Sequence, residues 1–174
     1  ALQGEQKRLA ALIRTVEATL AAKERRTPMK DEQKFEGLKA QLVAENEKTH
    51  GKEARTRYGD APVDAANARL LNMSEEAHTQ WKAMEEKILT RLAAAVAAGE
   101  DPAGPEGEAI AALHAQWLAF VGDYTPEMRA GLARLYTADE RFSAYYDKAA
   151  PGAAAFLTAA ILAQTEKGEE TSKP

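Results

Sequence analysis

Cysteine is absent from the 174 residues, which removes disulfides, thiolate metal centres and a cysteine nucleophile, and suits a cytoplasmic setting. Aromatics make up only 6% of the chain, and Val and Ile together number nine, too few β-branched and aromatic side chains for extended sheet. No apolar run approaches the roughly 18 residues of a membrane span; the Ala-rich tract AAAVAAG is far too short. Basic charge is in deficit, with a net charge of −4, and the deficit is uneven. Residues 1–30 carry seven Lys or Arg against three Glu, whereas residues 31–174 carry 16 basic and 24 acidic side chains. That body has the wrong sign for gripping duplex phosphates, and the basic arm reads as a solvated helix face. Also lacking are a Ser-His-Asp or Cys-His arrangement, a P-loop and a dinucleotide glycine fingerprint, so no machinery for enzymatic turnover is visible. The chain opens at Ala1 inside a helical pattern, without initiator Met or charged n-region, and reads as a fragment.

What is present is alanine, leucine and charge. The 45% apolar and 29% charged fractions describe a helical chain long enough for one domain with a core and an appendage. From Leu2 towards Glu24, Leu2, Leu9 and Val16 recur every seven residues, with Leu12 at the complementary position and Ile13 and Leu20 beside them. This is one side of a coiled coil, whose seam a single helix cannot bury, so residues 1–26 are expected to pair two copies as a homodimer. A helix lying on its own domain is the alternative, but RRTP separates this segment from the rest of the chain.

A second helix runs from Lys30 or Asp31 towards Tyr58 and stops at Gly59; its apolar stripe fades after Val43, leaving ENEKTHGKEARTR little to bury. Asp60 and Pro62 open a short helix. Ser74, followed by Glu75 and Glu76, caps a helix carrying Trp81, Met84, Ile88, Leu92 and Val96 and ending at Gly99. EDPAGPEG reads as a loop. Ile110, Leu113, His114, Trp117, Leu118 and Val121 share a face running to about Gly122. Thr125 and Pro126 start the next helix, Asp139 caps another through Tyr146, and Pro151 restarts the chain towards Ile161. Short helices with tight joints cross steeply and leave a cleft more readily than a parallel bundle does.

Eight of the eleven aromatics fall between Trp117 and Phe156. Rings offer large contact area at little entropic cost and suit flat ligands, but the same rings can be plain core. Phe156 and Phe142 sit on apolar faces and favour core. Trp117, Tyr136 and Tyr145 are balanced between the two, and Tyr145 and Tyr146, being adjacent, should not both face a cleft. Trp81 and Tyr58 could form a closing wall, although for Tyr58 an exposed loop position is the favoured reading. His114 is a hydrogen-bonded core histidine or a polar contact in the cleft. Asp139 reads as a cap rather than a catalytic acid, with Arg141 pairing Asp147 or Glu140. Glu75 and His78 form one Glu-x-x-His step where a di-iron site needs two, and haem would have His114 as its only plausible axial donor. No metal or other cofactor is expected.

The run HAQWLAFVGDYTPEMRAGLARLYTADERFSAYYDKAAPGAAAFLTAAI, from His114 to Ile161, resembles the signature of the TipAS antibiotic-recognition domain, the effector-binding region of one branch of MerR-type transcription activators. The match rests on His114, Trp117, Leu132, Tyr136, Asp139, Arg141, Phe142, Tyr146, Asp147, Gly152, Phe156, Ala160 and Ile161. Weaker similarity runs through Met29, Phe35, Glu36, Gly37, Tyr58, Gly59 and Asp60, and residues 1–26 resemble the antiparallel dimer helix of MerR-type proteins. The resemblance implies an all-α, globin-like domain over residues 27–166 that binds bulky drug-like molecules, with residues 30–75 closing as a lid over a core of 76–166, and a flexible tail at 167–174. Candidate ligand contacts are Trp81, His114, Trp117, Phe120, Tyr136, Phe142, Tyr145 and Tyr146. DNA would be contacted only through the family's amino-terminal winged-helix domain, which these residues lack. The founding member can bond its ligand through a cysteine; here capture should be reversible. A stand-alone drug-sequestering protein and a haem or metal sensor are the rival readings.

Overall fold

The computed structural model describes residues 11–19 and 31–171; the described residues are helical between short joints and contain no strand. The described structure separates into two units, one ending at Lys52 and one beginning at Glu53. In the first, residues 11–19 form helix α1, on which Leu12, Ile13 and Val16 are 53%, 54% and 56% exposed. Leu2, Leu9 and Leu20, the other positions expected in a dimer seam, lie outside the described residues. α2 spans Asp31–Asn46 and passes into a π-turn at Glu47–Gly51. The expected second helix therefore contains a π-turn where its apolar stripe has already faded.

The second unit begins inside α3 (Lys52–Tyr58) and continues through α4 (Asp60–Leu71); the two helices are joined at Gly59, whose φ of 86° lies in the left-handed region that favours glycine. Neither helix buries a residue. Arg55 spans the joint, its guanidinium 3.1 Å from Asp60 and 2.7 Å from Asp64. α5 (Glu75–Ala98) starts as its sequence requires: the Ser74 hydroxyl accepts the Ala77 N–H at 3.1 Å, and left-handed Gly99 closes the other end. α6 (Pro105–Ala119) begins earlier than expected, because Pro105 occupies its first turn and only the stretch before it is loop. Gly107, buried in that first turn, lets the preceding loop fold close over the start of α6: a Cβ there would fall 1.8 Å from the Pro102 carbonyl oxygen. α6 also ends at Ala119 instead of Gly122, the N–H groups of Val121 and Gly122 both turning back to the Leu118 carbonyl.

α7 (Pro126–Ala138) is capped by the Thr125 hydroxyl and α8 (Glu140–Asp147) by the Asp139 carboxylate. α9 (Ala153–Thr171) is the element the others share, packing against α5, α6, α7 and α8. Its buried face, Ala153, Ala154, Leu157, Ala160 and Ile161, alternates small and large side chains, so neighbouring backbones approach closely around fully buried Leu92, Ile110 and Leu157. Each such leucine or isoleucine contributes about 2 kcal/mol. α9 continues through Thr171, into the stretch read as a tail, and Lys167 donates to the Ala103 carbonyl at 3.1 Å.

Candidate functional site

Four helices bring the rings together. Trp81 of α5 lies against Trp117 of α6, centroids 5.7 Å apart and planes only 12° from parallel. Trp117 leans on His114 at 5.7 Å, one turn back on its own helix. His114 meets Tyr136 of α7 edge-on at 5.5 Å, and Tyr146 of α8 at 6.2 Å. Tyr136 and Tyr146 are 4.8 Å apart, and Phe142 and Tyr145 flank them. The system closes on a recess lined by Glu85, Ile88, Leu89, His114, Trp117, Tyr145 and Tyr146, with a volume of about 10 Å³. That is room for a single water.

His114 is the polar centre of this arrangement. Only 1% of it is exposed, and its Nε2 lies 3.1 Å from both tyrosine hydroxyls. Burial, reinforced by the positive field of Arg129, lowers its pKa to about 4, so the imidazole is neutral near pH 7. Burial likewise holds Tyr136 and Tyr146 well above the ordinary phenol range, so both keep their protons. Both hydroxyls stand at the one nitrogen a haem iron would need. Among the described residues no three His, Asp or Glu side chains gather where they could hold a metal ion.

The candidate residues sort by burial. His114, Tyr136 and Tyr146 are interior side chains, as is Phe156, while Trp81, Trp117, Phe142 and Tyr145 are half-buried and keep ring surface at the edge. Phe120, half-buried at the end of α6, is not drawn into the ring system. Two expectations are corrected. Tyr145 and Tyr146 both line the recess: their rings meet edge-to-face at 5.0 Å and 86°, so adjacent residues on a one-sided short helix share the wall. The open cleft expected between the tyrosine-bearing helices is filled, because both hydroxyls converge on His114 and pull α7 and α8 onto α6. Glu85, Ile88 and Leu89 complete the wall. Their four- and eight-residue offsets from Trp81 put Glu85 and Leu89 on its helix face, a signal the sequence did carry. The ammonium of Lys148 sits 3.9 Å over the Tyr145 ring.

α3 and α4 are tied to this region by charge. Arg141 donates to Glu53 at 2.7 Å and to Asp139 at 2.5 Å, and Arg69 pairs with Asp123. These partners replace the expected Asp147 and Glu140; Asp147 instead accepts the Ala154 N–H at 2.9 Å and fixes the start of α9. Tyr58, at the end of α3, is 50% exposed. Apart from the rings, a groove of about 640 Å³ between α6, α7 and α9 is walled by Glu108, Glu127, Arg129 and Gln164 over Ala111 and Ile161; it contains no aromatic side chain.

The profile of the TipAS antibiotic-recognition domain matches residues 50–164, which contain every ring of this system. Among curated proteins, the HTH-type transcriptional activator mta of Bacillus subtilis is 27% identical over 92% of this chain and 62% of its own length. The HTH-type transcriptional regulator SkgA of Caulobacter vibrioides is 30% identical over 93% of this chain and 64% of its own. The HTH-type transcriptional activator TipA of Streptomyces coelicolor is 34% identical over 64% of this chain and 45% of its own. The chain thus spans less than two thirds of the length of these relatives. Among solved structures, TipAS from Streptomyces lividans in complex with the thiopeptide antibiotic nosiheptide superposes with a TM-score of 0.60 at 26% identity, covering 81% of this chain and 97% of that one.

Proposed function

The chain belongs to the family of TipAS antibiotic-recognition domains, and from that membership we propose that it is the effector-binding part of a MerR-type transcription activator, sensing antibiotics or other bulky drug-like molecules. The observation that carries the reading is the near-parallel Trp81–Trp117 stack, half-buried at the edge of the recess beside Tyr145. Trp81, Trp117 and Tyr145 supply the contact faces. His114, Tyr136 and Tyr146 stand behind them and fix their orientation through one shared nitrogen. Phe142 backs Tyr136, and Phe120 lies at the margin.

A guest larger than water needs the two indoles to part or turn, so the liganded form differs from the present one. A drug that binds only the parted form shifts the population by the difference in its affinities for the two, which gives the switch its driving force. Residues 30–75 act as the lid. The exposed Leu12, Ile13 and Val16 pair two copies, and an HTH part of a longer regulator, of the kind its relatives carry, contacts DNA. Such a protein works in the cytoplasm, and with no cysteine the capture is reversible.

The test is a titration with nosiheptide, other peptide antibiotics and cationic dyes, read by tryptophan fluorescence. A saturable change that Trp117→Ala removes is expected. Silence across the panel, together with a Soret band on adding haem, overturns the reading in favour of a haem sensor.

A further inference from the structure

We propose that the groove between α6, α7 and α9 is a second ligand site, separate from the ring system, and that it takes a singly charged organic carboxylate with an apolar body, held by Arg129 and Gln164.

The groove follows from side-chain size on facing helix sides. On α9, Gln164 and Gly168 stand three and seven residues after Ile161, and on α6, Ala111 and Ala112 stand three and four after Glu108, so each set lies along one side of its helix. α7 closes the groove with its amino-terminal end, through Pro126, Glu127 and Arg129. Alanine and glycine at these positions are too short to fill the space the longer side chains stand around, and about 640 Å³ is left. That is the size of a small-molecule site, whereas the ring recess admits one water.

Two donors on the walls of this groove lack acceptors. Nε2 of Gln164 is buried without a hydrogen-bond partner, and an amide nitrogen only donates. Arg129 is half-buried, and among the described residues its guanidinium forms no hydrogen bond and no contact ion pair. Arg69, Arg91 and Arg141, by contrast, each hold a carboxylate. The Arg129 charge is felt inside the domain, at His114, whose pKa it helps to lower.

The two acids of the groove leave that charge uncompensated. Glu108 and Glu127 are exposed and stand in the first turns of α6 and α7, where carboxylates answer the positive end of a helix. The Glu127 pKa is lowered first by a hydrogen bond with Thr125 and only last by Arg129. A carboxylate suits what remains. Its oxygens accept from the planar guanidinium and from the stranded amide, and charge on both sides of the contact strengthens it. The exposed acids repel a second negative charge, which disfavours dianions, while Ala111, Pro126 and Ile161 give an apolar body surface to cover.

The probes are 4-phenylbutyrate, its neutral counterpart 4-phenylbutanamide and inorganic phosphate, each added to isotope-labelled protein. The groove contains no aromatic side chain, so the side-chain N–H signals of Gln164 and Arg129 report on it, and the indole signals of Trp81 and Trp117 report on the ring system. Phenylbutyrate is expected to move the Gln164 and Arg129 signals downfield, to leave both indoles in place and to bind about tenfold more tightly than the amide. Arg129→Gln should remove that tenfold preference. Glu108→Gln should tighten phenylbutyrate about twofold by taking away a repelling charge; a variant that gains affinity separates a lost contact from a damaged fold. Equal binding of the amide, tighter binding of phosphate, shifts confined to the indoles, or no binding at millimolar concentration overturns the inference. Nosiheptide titration reads the other site, so failure of the carboxylate leaves the proposed function standing, and silence towards nosiheptide leaves the groove standing.

Discussion

Nε2 of His114 lies 3.1 Å from the Tyr146 hydroxyl, joining α6 to α8 inside the core, with His114 only 1% exposed. A histidine held there neutral couples stability to pH. Its pKa is lowered from 6.5 to about 4 on folding, so between those values the unfolded chain binds the extra proton. Stability from this group is complete above about pH 6.5 and is lost as pH falls towards about 4, by up to about 3 kcal/mol. Urea midpoints across this range should fall steeply in the native chain. In His114→Gln the slope should flatten, and the difference between the two proteins isolates His114 from the carboxylates.

The Tyr136 hydroxyl is an equal 3.1 Å from the same nitrogen, so either tyrosine can serve it alone. Tyr146→Phe leaves Tyr136 free to turn its proton to Nε2, and Tyr136→Phe leaves the Tyr146 contact intact. Each single change should cost about 1 kcal/mol, and the double change should exceed the sum by about 1 kcal/mol because it strands the imidazole. Denaturant unfolding of the four proteins measures the coupling; strict additivity would mean the hydroxyls act independently.

Two glycines in helices should respond in opposite directions. At Gly131, in α7, an added Cβ would have nothing within 4 Å, so Gly131→Ala should stabilise by about 0.5–1 kcal/mol through helix propensity. At Gly107 the added carbon meets the Pro102 backbone at 1.8 Å, which cannot yield without displacing the turn before α6. Gly107→Ala should destabilise by at least about 2 kcal/mol. Thermal midpoints of the two variants against the parent check both signs.

The features that sequence made legible are local ones. Ser74, Thr125 and Asp139 cap helices as their positions demand, because a side-chain oxygen needs only the N–H two or three residues ahead. His114 and Trp117 share an apolar face that periodicity exposes, and the family resemblance gathers Tyr136 and Tyr146 with them. What stayed hidden depends on how elements cross. That both hydroxyls would meet one nitrogen, filling the space meant for a guest, needed the α6–α7–α8 crossing. The partner of Arg141 is Glu53, 88 residues away, and that of Arg69 is Asp123, 54 away; no spacing rule links such pairs. The π-turn at Glu47–Gly51 likewise carries no composition cue beyond weak apolarity.

Those distant ion pairs decide how firmly α3 and α4 are held. The two helices bury no residue of their own, so little hydrophobic burial resists their leaving. The contacts that resist are Glu53–Arg141 at 2.7 Å and Arg69–Asp123, with side chains 40–89% exposed. The Arg141 pKa is raised first by its hydrogen bond to Asp139 and then by that to Glu53. Exposed pairs are screened once the Debye length drops to a few ångströms, at about 1 M salt. Amide exchange over residues 53–71 should therefore quicken several-fold between low salt and about 1 M, and to a lesser extent in Arg141→Gln at low salt, which removes one of the two pairs. Amides around Leu92, Ile110 and Leu157 should hold their protection in both cases. The backbone N–H of residue 141 still donates to Asp139 after the change, so the α8 cap survives and the effect is confined to the clasp. Exchange over 53–71 that ignores both salt and Arg141→Gln would show that apolar contact, not charge, keeps these helices in place.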